Sequence, residues 1–167
     1  MHTVVLDGLV LTGGKIMDEG VAYGGAMAAS SGSTVSLTSC EVHGNQAYLG
    51  GGLSSTEGTL NIIGGSIYSN RAVSNTAGMA GGAKSGGGVY LGSAIATIDQ
   101  VNIFNNTADT GGGIFFYAAA GLVDDGAMTM TNTQIYHNEA SSDGGGFVIK
   151  GGTTILTRTL VHTNFAP

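Results

Sequence analysis

The sequence contains few of the residues on which many protein functions depend. Its 167 residues include one cysteine, one proline and no tryptophan, and only 10% of them are charged, whereas soluble domains usually have roughly 25%. The single cysteine, Cys40, excludes an intrachain disulfide. The formal net charge is −6 and no basic run exists, so we expect no nucleic-acid partner, because nothing would neutralise phosphates.

Long hydrophobic runs are also missing. The longest apolar stretch, residues 114–123, is too short for the roughly 20 residues that a membrane-spanning helix needs. We therefore expect no membrane insertion.

A repeated pattern, apolar-x-x-Asn-x-Ala, is what the sequence does contain. It reads VHGNQA, IYSNRA, IFNNTA, IYHNEA and VHTNFA, and a degenerate copy, VLTGGK at 10–15, has Gly13 where the asparagine is expected. Such internal repetition is typical of proteins built from stacked structural units. The repeated asparagines are Asn45, Asn70, Asn106, Asn138 and Asn164.

Glycine pairs or triplets follow each of the first five copies, at 24–25, 50–52, 86–88, 111–113 and 144–146. The first glycine of each group lies 20 or 21 residues before the next asparagine in four repeats and 27 residues before it in the repeat from Gly111 to Asn138. The extra residues of the longer repeats indicate inserted surface loops near 16–23, 73–85 and 118–127. The chain is predicted to form one domain, 1–167, uncapped at both ends.

Two apolar columns precede the asparagines and indicate β-strands that face a core. The prediction is an all-β, right-handed parallel β-helix of about six coils, with three short strands per coil and ladders of asparagine and glycine at its corners. The asparagines are expected at left-handed backbone corners, where their amides bond the neighbouring coils. The columns are Val5, Leu37, Ile62, Ile98, Met130 and Leu156, and Val10, Val42, Ile67, Ile103, Ile135 and Val161.

The two alternating motifs resemble the repeats of chlamydial polymorphic outer membrane proteins and related surface β-helices. That family has Phe-x-x-Asn and Gly-Gly-Ala-(Ile/Leu/Val); here the motifs read VHGN, IYSN, IFNN, IYHN and VHTN, and GGAM, GGGL, GGGV, GGGI and GGGF. An aliphatic residue replaces the phenylalanine. The resemblance implies a secreted or surface-displayed segment with adhesive or structural roles.

Parallel β-helices also include pectin lyases and polygalacturonases, whose active sites need carboxylates that converge on one face. Asp109 and Glu139 belong to adjacent corners and are expected to approach each other, but the sequence favours a protein that is not an enzyme and has no cofactor. The candidates are Asp99, Asp109, Asp124, Asp125, Glu139 and Asp143, with Arg71, Lys150 and Arg158 as basic residues.

The residue after each member of the second apolar column is expected to point outward. This residue is Leu11 in the first repeat and carries an aromatic ring in the other five. Such a row can stabilise neighbouring coils by stacking, or it can bind sugars or a protein partner. Two of its members are histidines several coils apart, so no metal site is expected. The ring row consists of His43, Tyr68, Phe104, Tyr136 and His162.

Threonine ranks on a flat face would suggest ice binding. The two outward columns are mixed: Leu6, Thr38, Ile63, Asp99, Thr131 and Thr157, and Val4, Ser36, Asn61, Thr97, Thr129 and Ile155. Ice binding therefore stays a minor alternative.

The sequence favours an extracellular or cell-surface structural or adhesive protein. It would be either a filament subunit that stacks head to tail into homo-oligomers or a segment of a larger surface protein. A carbohydrate-binding or polysaccharide-cleaving β-helix, with a polysaccharide or cell-surface ligand, is the alternative from another class.

Overall fold

The computed structural model describes residues 2–16, 22–73, 83–119 and 126–167. Every regular element among these residues is a β-strand, and all the strand pairs are parallel. The prediction of an all-β chain with parallel sheets is confirmed. The predicted loops near 16–23, 73–85 and 118–127 fall mainly on residues 17–21, 74–82 and 120–125, which lie outside the described residues.

Two of the four sheets contain six strands, one from each successive repeat of the sequence. The first sheet consists of β1 (His2–Asp7), β4 (Ser33–Thr38), β8 (Thr59–Ile63), β12 (Ile95–Asp99), β16 (Ala127–Thr131) and β20 (Thr153–Thr157). The second consists of β2 (Val10–Thr12), β5 (Glu41–His43), β9 (Ser66–Tyr68), β13 (Asn102–Phe104), β17 (Gln134–Tyr136) and β21 (Leu160–His162).

The other two sheets follow the asparagines and the glycines. The third sheet consists of β6 (Gln46–Ala47), β10 (Arg71–Ala72), β14 (Thr107–Thr110) and β18 (Glu139–Asp143). The fourth consists of β3 (Met27–Ala29), β7 (Leu53–Thr56), β11 (Val89–Gly92), β15 (Ile114–Tyr117) and β19 (Phe147–Lys150).

A complete repeat therefore contributes to four sheets, whereas the sequence predicts three strands. The additional strands form the third sheet, which begins directly after each asparagine. Its members Gln46–Ala47 and Arg71–Ala72 are only two residues long. Strands this short carry too little alternation to be recognised in a sequence.

The core lies on the inner side of these sheets. Along the first sheet, buried and exposed residues alternate, with Leu37, Ile98 and Met130 almost fully buried. The second sheet contributes Val42, Ile67, Ile103 and Ile135, and the fourth contributes Leu53, Leu91, Ile114 and Phe116.

The predicted columns are wrong by one residue in the first repeat. Leu6 pairs with Leu37 and Leu11 pairs with Val42, so these leucines replace Val5 and Val10 in the inward columns. Val5 is 68% exposed. Val4, Val5 and Leu6 are all apolar, and two adjacent glycines occupy the corner, so the sequence pattern fits both registers.

Glycines stand where the backbones of neighbouring repeats approach closely. A Cβ atom on Gly87 would lie 2.5 Å from the carbonyl oxygen of Thr107 in the next repeat and would also meet Gly112. The glycine before it, Gly86, has a φ of +67°. The backbone shape of this corner thus excludes a side chain at Gly87 and favours glycine at Gly86.

Replacing Gly87 with alanine should destabilise the fold by about 1–3 kcal/mol, because the new methyl group overlaps a backbone that cannot move independently. Gly92 in the same repeat is a matched control: the three atoms nearest to an added Cβ belong to the Tyr90 side chain, at 3.2–3.6 Å, and none is backbone. Chemical denaturation, monitored by circular dichroism, gives the unfolding midpoints of the two variants. Equal midpoints for Gly87→Ala and Gly92→Ala would contradict this account of the glycine corner.

Candidate functional sites on the core edge and the sheet faces

The five repeated asparagines form a continuous hydrogen-bonded row along the edge of the core. In each neighbouring pair the backbone N–H and the Nδ2 of one asparagine both donate to the Oδ1 of the next, over 2.9–3.1 Å. Each Nδ2 also donates to a backbone carbonyl of the preceding repeat, as Asn106 does to Ile67 at 2.9 Å. The amides thus satisfy polar groups that would otherwise be buried without partners.

The left-handed backbone position lies one residue before each asparagine. Ser69, Asn105, His137 and Thr163 have φ between 49° and 54° there, so the prediction that the asparagines themselves adopt this conformation is wrong. In the first repeat the asparagine position is occupied by Gly14, not Gly13, since the Gly14 N–H donates to Asn45 Oδ1 at 2.9 Å. The turn and the amide bonding are therefore assigned to adjacent residues.

A second row of side-chain donors, which the sequence analysis missed, follows the first sheet. Cys40, Thr133 and Thr159 each donate to the carbonyl two residues earlier and to a carbonyl one repeat back. For the buried Cys40 thiol these acceptors are Thr38 and Leu6. A small donor two residues after the strand, present behind β4, β16 and β20, is the signal in the sequence. Cys40 therefore serves the corner as a weak hydrogen-bond donor.

The predicted ring row lies on the outer face of the second sheet. The centroid distances are 4.7 Å for His43–Tyr68, 5.0 Å for Tyr68–Phe104, 5.1 Å for Phe104–Tyr136 and 5.3 Å for Tyr136–His162. Neighbouring planes differ by only 3° to 15°. Thr12 precedes the row, because it pairs with His43 and its hydroxyl lies 3.3 Å from His43 Nδ1; the sequence assigned Leu11 to this position wrongly.

Stacking leaves only the edges of the middle rings exposed to solvent. Both faces of Tyr68, Phe104 and Tyr136 contact another ring. Sugars stack on aromatic faces rather than edges, so these three rings provide no platform for them. The row stabilises the contact between repeats, where each aromatic pair contributes about 0.5–1.5 kcal/mol.

Asp109 and Glu139 line one groove on the outside of the third sheet. The groove has a volume of about 480 Å³ and also contains Arg71, Thr107 and Ser141. A register shift after Ala108 leaves Asp109 beside Ser141, whose hydroxyl donates to Asp109 Oδ1 at 3.2 Å. Of the predicted candidates for acid–base chemistry, these two carboxylates and Arg71 are the ones that the structure brings together.

The Asp109 carboxylate is held by a lysine. Lys84 Nζ lies 2.9 Å from Asp109 Oδ2. Burial by itself raises the pKa of Asp109, but the hydrogen bonds and charge of Lys84 outweigh it and hold the pKa below its usual value. The pair therefore contributes stability above the ordinary carboxyl pKa and loses it as acid protonates Asp109. A general acid needs the opposite shift.

The other predicted candidates lie outside this groove, and Asn132 bridges two of them. Asp99 lies on the first sheet, where it accepts from Asn132 Nδ2 at 3.0 Å, and Arg158 donates to Asn132 Oδ1 at 2.6 Å. Lys150 lies 5.6 Å from the centre of the Phe115 ring. Asp143 ends β18, while 124 and 125 fall outside the described residues.

Metal binding has no visible basis in the part of the chain that the structure describes. No group of three or more His, Cys, Asp or Glu side chains there could hold an ion.

No helix among the described residues is long and apolar enough to cross a bilayer.

A pocket of about 290 Å³ lies on the outer face of the fourth sheet. Ser54 pairs with Tyr90 and Ala28 pairs with Ser54, so two small side chains precede a much larger one in this column. The Ser54 hydroxyl is buried and, within the described residues, has no hydrogen-bond partner. The pocket is lined by Tyr23, Ala28, Ser30, Ser31, Ser54 and Thr56.

Asn106→Ala should destabilise the protein by about 1–3 kcal/mol, because it leaves the donors of Asn70 and the Ile67 carbonyl without their buried partner. Asn102→Ala, at a half-buried position on β13, is the control and should change stability by less than about 0.5 kcal/mol. Urea denaturation of both variants measures the difference. An unchanged midpoint for Asn106→Ala would show that the row contributes little.

Comparison with family models, with curated proteins and with solved structures gives no match to this chain.

Proposed function

We propose that the four sheets are the faces of a right-handed parallel β-helix of six coils, which acts as an extracellular structural or adhesive module. The observation that carries this proposal is the continuity of the interactions along the repeats. The asparagine row and the ring row both extend from the second repeat to the last. The right-handed crossover is the common one for parallel strands.

The carboxylates support a structural role because most of those described bond a neighbouring repeat. Tyr68 donates to Glu41 at 3.2 Å and Ser31 donates to Glu57 at 2.6 Å. Asp99 and Asp109 accept from side chains one repeat further on. Acidic groups used in this way join repeats to each other rather than converging on a substrate.

The end faces of the helix support association with further parallel strands. β1 and β20 are the outermost strands of the first sheet, and an open strand edge is a template for pairing. Core-facing residues are exposed at the last repeat, with Leu156 at 43% and Val161 at 41%. Two arrangements would cover them: stacking of identical chains into a filament, and further repeats of a larger surface protein.

The asparagine row favours the second arrangement. Extending the row beyond Asn164 requires a side-chain carbonyl to accept from its N–H and Nδ2. An identical chain in register would offer Gly14, the residue that precedes Asn45 in the row, and glycine has no such group. A repeat that carries asparagine would continue the row, so we propose that the module is a segment of a larger surface β-helix.

Sedimentation velocity and electron microscopy of the purified chain test this choice. We expect monomers and short end-to-end oligomers, and no long fibres. Leu156→Lys should abolish the oligomers, because it places a charge on the apolar end face, whereas Ile155→Lys on the opposite side of the same strand should not. Long unbranched fibres would favour the filament instead, and cleavage of an acidic polysaccharide would contradict the structural role.

Carbohydrate binding is a second candidate function, favoured by the pocket on the fourth sheet. Binding is favoured when a ligand supplies a hydrogen bond to a buried hydroxyl group that has no other partner. Ser30, Ser31 and Thr56 add further hydroxyl groups, and Tyr23 is 38% exposed at the rim. The ring of Tyr23 lies edge-on to Tyr90 at 6.2 Å, so one aromatic side chain is held beside a largely apolar pocket that contains several hydroxyl groups.

Titration with neutral monosaccharides, followed by NMR, checks this candidate. A sugar that binds should lose about five- to tenfold in affinity with Ser54→Ala, since one buried hydrogen bond contributes about 1–1.5 kcal/mol. Ser55→Ala is the control, because Ser55 is equally buried and without a described partner but does not line the pocket. Equal loss in both variants would contradict the assignment.

A further inference from the structure

We propose that the outer face of the first sheet binds ice, the ordered lattice of water molecules. This activity goes beyond the structural role proposed above and does not depend on it. The evidence is the composition of the face, the spacing of its side chains and its lack of twist.

Three outward columns cover this face. Nine of their eighteen residues are threonine, and the only charged members, Asp7 and Asp99, lie in the column at one border. The columns are Thr3, Thr34, Thr59, Ile95, Ala127 and Thr153; Val5, Ser36, Asn61, Thr97, Thr129 and Ile155; and Asp7, Thr38, Ile63, Asp99, Thr131 and Thr157.

The register of the first repeat changes the first residue of two of these columns. Asp7, not Leu6, begins the border column, and Val5, not Val4, begins the middle one. The column that begins at Thr3 contains four threonines and two apolar residues. Two adjacent columns of the face therefore contain no charge at all.

The spacing is set by the parallel strands. Equivalent side chains in neighbouring strands lie about 4.8 Å apart, and alternate residues along one strand lie about 6.6 Å apart. Every pair of strands in this sheet is in register without a bulge. The hydroxyl and methyl groups therefore form a two-dimensional lattice.

The rings on the second sheet indicate that the repeats are stacked with little rotation, and the first sheet belongs to the same stack. Neighbouring ring planes from His43 to His162 differ by 3° to 15°. Adjacent strands usually rotate by about 20–25°, which would turn such a face into a propeller. A crystal plane can contact an untwisted face over its whole length.

Threonine suits this contact for two reasons. Its hydroxyl exchanges hydrogen bonds with lattice water, and its methyl group orders water without binding it. Its β-branched side chain has restricted rotamers, so little conformational freedom is lost on contact. Charged groups would hold hydration shells of their own, and Asp99 is already bonded to Asn132 at 3.0 Å and Gln100 at 3.4 Å.

A polysaccharide is a less suitable occupant of this face. Sugars bind on exposed aromatic faces, and the first sheet presents no ring, since the aromatic row lies on the second sheet. A protein partner would need a larger apolar centre than the scattered Ile63, Ile95 and Ile155, which are 48%, 50% and 53% exposed.

Slow growth of polycrystalline ice from a solution of the purified chain tests the proposal, with protein in the ice and the liquid measured by tyrosine absorbance. The wild-type chain should enter the ice and shape single crystals into facets. Thr97→Tyr places a large ring in the centre of the face and should exclude the protein from ice. Thr12→Tyr makes the same substitution on the second sheet, where Thr12 pairs with His43, and should behave as wild type.

Both variants must be folded for this comparison. Circular dichroism checks that each retains the wild-type β-sheet spectrum and melting temperature. If Thr97→Tyr is unfolded, Thr129→Tyr on the neighbouring strand takes its place. Exclusion of the folded wild-type chain from ice would overturn the proposal. Equal behaviour of the two folded variants, whether both are incorporated or both excluded, would overturn the assignment to this face.

Discussion

Superposition of equivalent backbone positions in neighbouring repeats is the constraint on which the rest of this structure depends. Parallel strands about 4.8 Å apart leave no space for a side chain where two corners coincide, so the glycines at 51, 87, 112 and 145 face the backbone of the next repeat. The same superposition places one apolar residue above another in the core. A substitution at one corner therefore displaces the backbone of the neighbouring repeats as well as that of its own repeat.

The backbone corners also create buried polar groups, and the asparagine row satisfies them. From Asn70 onward each amide oxygen accepts two bonds from the preceding asparagine, and each amide nitrogen donates to a backbone carbonyl of the preceding repeat. Cys40, Thr133 and Thr159 perform the equivalent task at the next corner with a single donor. Polar residues in the core of this protein are thus structural, and their residue types follow from the number of groups that each corner leaves unpaired.

Two outer surfaces obtain different properties from the same stacking. On the second sheet, rings fill the space between repeats, so their faces are used within the protein. On the first sheet, short β-branched side chains leave the space above the sheet free, and their hydroxyl and methyl groups remain available to solvent. Function on the second surface is confined to ring edges, whereas the first surface is a regular polar lattice.

The all-β class, the parallel repeats and the equivalent residues of the five complete copies of the motif could be predicted from the amino-acid pattern, because periodic asparagines, glycines and apolar residues report local geometry directly. The register of the first repeat could not be predicted, since three adjacent apolar residues and two glycines fit two alignments. The three-dimensional contacts were needed to show that Leu6 faces inward, that Ser69 rather than Asn70 turns the chain, and that the short third sheet exists. These features depend on contacts with the next repeat, which lies some 25 to 36 residues away in the chain, and a local pattern contains no information about such contacts.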